Sequence, residues 1–374
     1  MESDSASRLK TVSAGLLRWG LFLLVLWFVA SHAKTLWAAS RDINVNIDWK
    51  YLVAAGLISQ VSWLPSTWFW RRLIVLLGDD VETYPLIRAY YCGSLGKYMP
   101  GKAAAILIRS AMLKPQQVSF VRASIASMVE AGAVMLVGCV VSLAFAMTVI
   151  PPAALPDWVS ESLPRESTSW SGLLLLVIVL LAATPVIAAP ANWILSKISR
   201  TVEQRAQKKK ANDPTNSDPQ SPDENNAEPG GLAIGKLTWQ FLAKAALMLA
   251  LSWAGHGLSL LLVMRSMDPE ILSLDNWTIA TAAAAAGTSI GFFAVFAPGG
   301  LAVREGLIIT VLAPSTEGTI AVAAAGLYRL ASMAAECLAA LLLYCVAPRA
   351  NDTSSRDTNS ASSTDDENRE DAPS

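Results

Sequence analysis

Residues 120–150 of the chain read FVRASIASMVEAGAVMLVGCVVSLAFAMTVI, and this stretch decides the fold class. Beyond Arg122 it contains a single charged residue, Glu130, among small and large apolar side chains. About 20 helical residues cross the hydrocarbon core of a bilayer, which is about 30 Å thick. The stretch therefore predicts a transmembrane helix, with one carboxylate at a depth where charge is costly.

The composition extends this interpretation to most of the chain. Of its 374 residues, 53% are hydrophobic and only 16% are Asp, Glu, Lys or Arg. An ordinary soluble domain has about 25% charged residues. The charged residues are also concentrated in a few loops and in the C-terminal tail, which leaves too few to form the surface of a water-soluble globule. A soluble enzyme is therefore excluded.

Charge and cysteine content exclude several other classes of site. The formal net charge is −1, and an acidic tail offsets the basic loops, so no nucleic-acid-binding surface is predicted. The four cysteines lack the paired short spacing of a disulfide framework or a zinc site. They are Cys92, Cys139, Cys337 and Cys345, all in apolar stretches. No metal and no cofactor are expected.

Six further apolar runs have the character of membrane spans. They cover residues 16–33, 49–70, 170–195, 237–264, 277–297 and 319–347. Ser31-His32-Ala33 has the small-residue pattern of a signal-peptide cleavage site, but the length of the first run and the runs that follow favour an uncleaved first span. The prediction is an all-α, polytopic membrane helical bundle of about seven to eight spans.

Two other apolar segments are interrupted, and we predict that they are re-entrant broken helices. The first, near residues 84–113, contains Lys97, Pro100-Gly101-Lys102 and Arg109. The second, near residues 297–313, contains Pro298-Gly299-Gly300 and then Arg304-Glu305. Pro and Gly end one short helix and allow another to begin, which leaves free backbone N–H groups at a positive helix end. Such an end attracts anions.

The basic residues predict an orientation in the membrane. Lys and Arg are frequent at the N-terminus, in residues 71–122 and in residues 197–210, whereas residues 151–169 are acidic. Because basic loops remain in the cytoplasm, the N-terminus is predicted to be cytoplasmic, in a protein integral to the cell (inner or cytoplasmic) membrane. The spans alternate consistently only if segment 84–113 enters and leaves on the same side, as a re-entrant hairpin does.

The pattern of apolar and polar segments divides the chain into five parts. They are a cytoplasmic N-terminus (1–15), a first half of the bundle (16–196), a basic then disordered cytoplasmic loop (197–236), a second half (237–347) and a disordered acidic tail (348–374). The loop is rich in Pro, Asn, Asp and Ser and has no apolar periodicity. Its Lys208, Lys209 and Lys210 are expected to contact anionic headgroups, each charge contributing about 1 kcal/mol.

Charged residues within the apolar segments indicate a structural or functional role, because a charge at the bilayer centre costs at least about 2.5 to 3.5 kcal/mol. The candidates for substrate binding are Lys97, Lys102, Arg109, Glu130, Arg304, Glu305, Arg329 and Glu336. Arg329 and Glu336 are seven residues apart, close to two helical turns, and should share one inward face. Two alternatives remain: a kinked amphipathic helix at the interface, and a purely structural ion-pair network.

A weak repeat relates the two halves and predicts an inverted-repeat architecture. Residues 99–102 (MPGK) align with residues 297–300 (APGG), and the spans that follow contain 126–130 (ASMVE) and 331–336 (ASMAAE). The residues expected to shape the breaks are Pro100, Gly101, Pro298, Gly299 and Gly300. Paired interrupted segments in two halves point to a transport site between the repeats.

The two interrupted motifs also carry a family resemblance. Residues 96–102 (GKYMPGK) and 298–306 (PGGLAVREG) resemble the flippase-like transmembrane region of lysylphosphatidylglycerol synthases, over roughly residues 15–347. The resemblance implies a polytopic bundle with re-entrant helices that carries lipids, or lipid-linked molecules, between leaflets. Because no soluble domain follows the last span, we expect a stand-alone member that lacks the aminoacyl-transferring domain and its synthase activity.

Three functions are compatible with these residues. The leading hypothesis is a transporter or flippase for a lipid or lipid-linked anionic headgroup, with the buried cations as contacts and membrane lipids as partners. No nucleotide-binding loop is present, so ATP is not expected to be the energy source within this chain. A membrane-embedded transferase or hydrolase using Glu130, His256, Glu305 or Glu336 is the second hypothesis. An accessory scaffold for an envelope enzyme is the third, and a homo-oligomer or an envelope-synthesis partner is left open.

Overall fold

A computed structural model of the chain describes residues 47–98, 103–149, 178–179, 192, 237–293 and 303–346. These residues form helices and the short links between them, with no strand, which confirms the predicted all-α class. The α-helices of ten residues or more are α1 (Trp49–Val61), α2 (Leu64–Leu76), α3 (Thr83–Ser94), α4 (Ala103–Met112), α5 (Phe120–Val149), α6 (Trp239–Arg265), α7 (Leu274–Phe293), α8 (Val303–Leu312) and α9 (Gly318–Cys345). Short 3-10 helices follow α3 (Leu95–Tyr98) and α4 (Lys114–Gln116).

Three helices among the described residues are long and apolar enough to cross a membrane. They are α6, α9 and the segment Phe120–Phe145 of α5. This finding confirms a helical membrane bundle. The predicted spans at 16–33 and 170–195 lie outside the described residues, apart from residues 178–179 and 192. The number of about seven to eight spans therefore stays a prediction.

The run at residues 49–70, predicted as one span, is divided into α1 and α2. Pro65 lies in the first turn of α2, where its missing N–H costs nothing and its fixed φ suits a helix start. The carbonyl of Ser62 at the break accepts a hydrogen bond from the Ser252 hydroxyl of α6 at 2.5 Å. A neighbouring helix thus supplies a hydrogen-bond donor to a backbone carbonyl at the break, because an apolar environment offers no water to do so.

The two helices that flank each break pack against each other as a hairpin, α3 with α4 and α7 with α8. In the second hairpin the predicted segment 297–313 supplies only α8, and α7 corresponds to the run predicted as a span at 277–297. The re-entrant course of both segments in the membrane stays a prediction. In the first hairpin, a Cβ atom added to Gly96 would lie 2.6 Å from the backbone nitrogen of Ala105, so the end of α3 and its 3-10 extension pack directly on α4. In the second hairpin, a Cβ atom added to Gly287 in α7 would lie 2.9 Å from the carbonyl oxygen of Arg304 in α8. The residues expected to shape the breaks, Pro100, Gly101, Pro298, Gly299 and Gly300, lie outside the described residues.

Helix α7 forms the centre of the bundle, packed against α5, α6 and α8. Its alanines from 282 to 286 are almost fully buried, and small side chains let neighbouring backbones approach closely. Helices α1 and α9 pack on α6, and the α3–α4 hairpin packs against both α5 and α9. The first hairpin therefore lies between the long helices that follow the two interrupted segments.

The outer faces of these helices expose large apolar side chains. Each of the following is more than half exposed: Val53, Leu57, Leu136, Leu143, Leu251 and Leu338. Water-soluble monomers rarely present contiguous apolar surface on this scale. The surface is therefore one that hydrocarbon covers, in agreement with the lengths of the three spans.

Candidate functional site

A cavity of about 200 Å³ lies inside the bundle, bounded by side chains from both hairpins and from α1, α5, α6 and α9. Six of the eight predicted site residues line this one cavity. They are Lys97, Arg109, Glu130, Arg304, Arg329 and Glu336. The structure therefore brings together charges that are up to 239 positions apart in the chain. Their role in binding a substrate stays a prediction.

Glu130 of α5 is held by the first hairpin. Its two carboxylate oxygens accept hydrogen bonds from the Tyr90 hydroxyl at 2.9 Å and from the Arg109 guanidinium at 3.0 Å. The guanidinium also donates to the Ser94 hydroxyl at 2.9 Å and lies 3.9 Å from the centroid of the Tyr90 ring. The Glu130 side chain is 3% exposed and the Arg109 side chain 12%, so this pair is buried and fully hydrogen-bonded at the carboxylate.

Glu336 of α9 is held by the other end of the same hairpin. The Lys97 ammonium lies 2.5 Å from one carboxylate oxygen, and the Tyr98 hydroxyl donates to the other at 2.7 Å. Lys97 also lies 5.9 Å from the centroid of the Trp63 ring, within the range of a cation–π contact. The first hairpin therefore contacts both long helices through the same combination: one cation, one tyrosine and one glutamate.

Arg329 of α9 forms an ion pair with Glu305 of α8 at 3.3 Å. The sequence predicted that Arg329 and Glu336 would share an inward face, and both do line the cavity. The hydrogen bonds of Glu336 come from Lys97 and Tyr98 of the first hairpin. Glu305 is the predicted site residue that lies behind the cavity wall, where it holds Arg329.

Arg304 of α8 differs from the other cations of the cavity. Among the described residues it forms no ion pair with a carboxylate, and its Nε atom is buried without a hydrogen-bond partner. Its guanidinium lies 5.6 Å from the centroid of the Tyr328 ring. The described cluster thus contains four cations and three carboxylates, and Arg304 is the cation in excess.

His256 lines the cavity and was not among the predicted binding residues. The sequence suggested it only as a general base for the enzyme hypothesis. It is 4% exposed, its ring packs edge-on against Trp63, and its Nδ1 lies 3.5 Å from the Tyr328 hydroxyl. Its Nε2 is buried without a hydrogen-bond partner. The signal in the sequence was a histidine within an apolar span, between Gly255 and Gly257.

The remaining predicted site features cannot be placed in this cavity. Lys102 and the basic residues Lys208, Lys209 and Lys210 lie outside the described residues. Within the described residues, no group of three or more His, Cys, Asp or Glu side chains is arranged to hold a metal ion.

Comparison with known proteins gives one match. The sequence model of the family described as lysylphosphatidylglycerol synthase TM region matches residues 15–340. The chain belongs to this family. No curated protein and no solved structure matches the chain. Membership confirms the resemblance seen in the two proline-glycine motifs, and it identifies a membrane protein whose family has a lipid-related function.

Proposed function

We propose that the protein moves a lipid, or a lipid-linked molecule with an anionic headgroup, between the leaflets of the cell membrane. The observation that carries this proposal is the positively charged cavity inside a bundle of membrane-spanning helices. Its cation in excess, Arg304, has no carboxylate partner among the described residues. Arg304 is half-buried, and a cation partly removed from water without a counter-ion carries a cost that an anionic ligand offsets.

The physical need for such a cavity comes from the headgroup. Removing a charged headgroup from water without compensating contacts costs several kcal/mol or more, so an unassisted crossing is slow. A cavity with apolar walls and a few placed polar groups lowers this barrier, because the headgroup exchanges water for protein contacts while the acyl chains remain in lipid. The hairpins that border the cavity are the kind of interrupted segment that forms midplane sites in transporters.

The proposal includes an orientation and a partner. The N-terminus lies in the cytoplasm, because the basic loops predict that side, and the basic residues Lys208, Lys209 and Lys210 lie against anionic headgroups of the inner leaflet. The partner is membrane lipid.

The test compares total and outer-leaflet lipids in cells with and without the protein. We expect cells without it to have less of one anionic lipid class in the outer leaflet, at unchanged total amount. Arg304→Gln should behave like the deletion. Arg72→Gln is the matched control, because Arg72 is exposed on α2 and lies over Trp68, away from the cavity. It should behave like the wild type.

Two results would overturn the proposal. An unchanged leaflet distribution in the deletion would exclude transport of the lipids measured. A changed total composition with a new lipid product, lost in Arg304→Gln, would instead support a transferase or hydrolase.

A further inference from the structure

We infer that an acidic segment near the C-terminus docks on two cations at one end of the bundle. Residues 365–371 (DDENRED) form this acidic block, and the cations are Arg88 of α3 and Lys114, which follows α4. The contact lies within the chain and outside the cavity, so it does not depend on the proposed function. Three observations carry it: the place where α9 ends, the surroundings of the two cations, and the charge and reach of the block.

Helix α9 ends beside the start of α3. The Tyr84 hydroxyl, in the first turn of α3, donates to the carbonyl oxygens of Leu343 at 3.2 Å and of Val346 at 2.8 Å, both at the end of α9. The other end of α3 leads to Lys97, whose ammonium contacts Glu336 deeper in α9. The residues that follow Val346 therefore begin at the open end of the first hairpin, which is the end where α3 begins and α4 ends.

Arg88 lies one turn after Tyr84 in α3 and has no carboxylate partner among the described residues. Its guanidinium lies 5.1 Å from the centroid of the Tyr344 ring of α9, and its Nε atom is buried without a hydrogen-bond partner. Arg122, near the same end, differs because Asp79 holds it in a buried ion pair. Hydrogen bonds between a guanidinium and a carboxylate are charge-assisted and strong. Arg88 therefore offers donors to a carboxylate from elsewhere in the chain.

Lys114 lies at the same level of the hairpin as Arg88. The two arms run antiparallel, and a Cβ atom added to Gly93 would lie 3.0 Å from the backbone nitrogen of Arg109. Arg88 and Lys114 are each five positions from these residues towards the open end. Lys114 is exposed, with its ammonium 5.4 Å from the centroid of the Phe120 ring. Two cations, one from each arm, thus border the place where α9 ends.

The described carboxylates at this end leave both cations available. Asp80 and Glu82 are exposed there, and neither forms an ion pair with Arg88 or Lys114. Asp80 lies beside Arg71 at 3.8 Å. A carboxylate partner for the two cations therefore has to come from outside the described residues.

The acidic block has the charge and the reach to be that partner. It contains five carboxylates and one arginine, which gives a net charge of −4. It begins 19 positions after Val346, and that many extended residues span up to about 65 Å. A short tether that can span its site gives an effective concentration on the order of mM. An anionic leaflet repels the block, so cations of the protein are its more favourable partner.

Docking of the block adds a second link between the first hairpin and α9. The first link is the contact of Lys97 and Tyr98 with Glu336 inside the bundle. The second lies at the open end and is partly exposed, so salt weakens it: the screening length falls from about 10 Å at 0.1 M to about 3 Å at 1 M. Ionic strength is therefore expected to control how firmly the open end is held, and the docked block keeps anionic headgroups away from Arg88.

The first experiment is carbodiimide cross-linking of the full-length chain in nanodiscs of phosphatidylcholine. The reagent joins an amine to a carboxylate in contact with it, and mass spectrometry identifies the joined peptides. We expect the acidic block to be joined to Lys114 in the wild type, and also to position 88 in Arg88→Lys. Arg72→Lys is the matched control, because Arg72 is exposed over Trp68 on the side of α2 that meets α6. Position 72 should be joined to the block at least about fivefold less.

The second experiment measures how fast a water-soluble reagent acetylates Lys114 in the same nanodiscs. We expect the rate to rise about threefold or more at 1 M salt, and to rise equally when the carboxylates of the block are replaced by amides. Lys50 is the control, since it is exposed at the start of α1, beside the end of α6, and its rate should change in neither case. The replacements are Asp365→Asn, Asp366→Asn, Glu367→Gln, Glu370→Gln and Asp371→Asn.

Three results would overturn the inference. The first is the absence of cross-links from the block to Lys114 in the wild type and to position 88 in Arg88→Lys. The second is cross-links from the block to Lys208, Lys209 or Lys210 in their place, which would assign the block to another basic segment. The third is cross-links that disappear when phosphatidylglycerol is added to the nanodiscs, because a lipid headgroup would then be the occupant of the site.

Discussion

At the scale of single residues, the contribution of an ion pair to stability depends on how deeply its side chains are buried. The Arg109–Glu130 pair is buried, with side chains 12% and 3% exposed, whereas Asp80 is 90% exposed beside Arg71 at 3.8 Å. An exposed pair contributes little because water and salt screen it. A buried pair is different, since removing one partner leaves an uncompensated charge in an apolar environment.

We therefore predict that Glu130→Gln destabilises the protein strongly. The substitution leaves Arg109 buried without its counter-charge, and we expect the free energy of unfolding to fall by about 3 kcal/mol or more. Asp80→Asn is the matched control and should change it by less than about 1 kcal/mol. Unfolding by a denaturing detergent, followed by circular dichroism, measures both.

A double variant makes this prediction stricter. Glu130→Gln combined with Arg109→Gln removes both charges, so it should recover part of the stability lost in the single variant. If Glu130→Gln and Asp80→Asn had equal small effects, the buried pair would not contribute as its geometry indicates.

At the scale of helices, the first hairpin connects the two halves of the molecule. Its Arg109 and Tyr90 hold Glu130 of α5, and its Lys97 and Tyr98 hold Glu336 of α9. The close packing of its two arms places all four of these side chains. That packing depends on Gly96, because a Cβ there would lie 2.6 Å from a backbone atom that cannot rotate away.

We predict that Gly96→Ala separates the arms of this hairpin and impairs both stability and lipid transport. Forcing a methyl group into a well-packed contact costs about 1 to 3 kcal/mol. Gly132→Ala in α5 is the matched control, since an added Cβ there meets no atom within 4 Å. Alanine also favours a helix over glycine by about 1 kcal/mol. Thermal unfolding should therefore show a lower midpoint for Gly96→Ala and an equal or higher one for Gly132→Ala.

The opposite order of midpoints would show that the hairpin does not pack as the structure has it. Equal transport by both variants would show that the hairpin is not needed to position the site.

The helices also show why the partners of the buried charges could not be predicted from the sequence. The repeat aligns Glu130 with Glu336, yet both glutamates pair with cations of the first hairpin. In the second half, the pair between the hairpin and the next helix is Glu305 with Arg329, with the signs of charge exchanged relative to Arg109 and Glu130. Spacing along one helix predicts which of its residues share a face. It does not predict which residues of a neighbouring helix lie opposite, because packing sets the rotation of that helix.

At the scale of the whole molecule, hydropathy was enough to predict the fold class, and the charges within apolar segments predicted six residues that line one cavity. The role of these residues in binding stays a prediction. The spans at 120–150, 237–264 and 319–347 coincide with α5, α6 and α9 because long apolar segments have few alternatives in a bilayer. The division of 49–70 into two helices was missed, since Pro65 is compatible with either interpretation. His256 lines the cavity but was not among the predicted binding residues, because a polar residue in a span more often serves packing.

In the proposed function, the cavity carries an anionic headgroup across the membrane by means of Arg304. Transport in reconstituted vesicles tests this most directly. Vesicles contain a trace of phosphatidylglycerol with a fluorophore on one acyl chain near the headgroup region, and an impermeant reductant quenches the fluorophore in the outer leaflet. Wild-type protein and Arg72→Gln should make nearly all of the label accessible with time, whereas Arg304→Gln should resemble vesicles without protein. Equal quenching by the wild type and by protein-free vesicles, or undiminished transport by Arg304→Gln, would contradict the account.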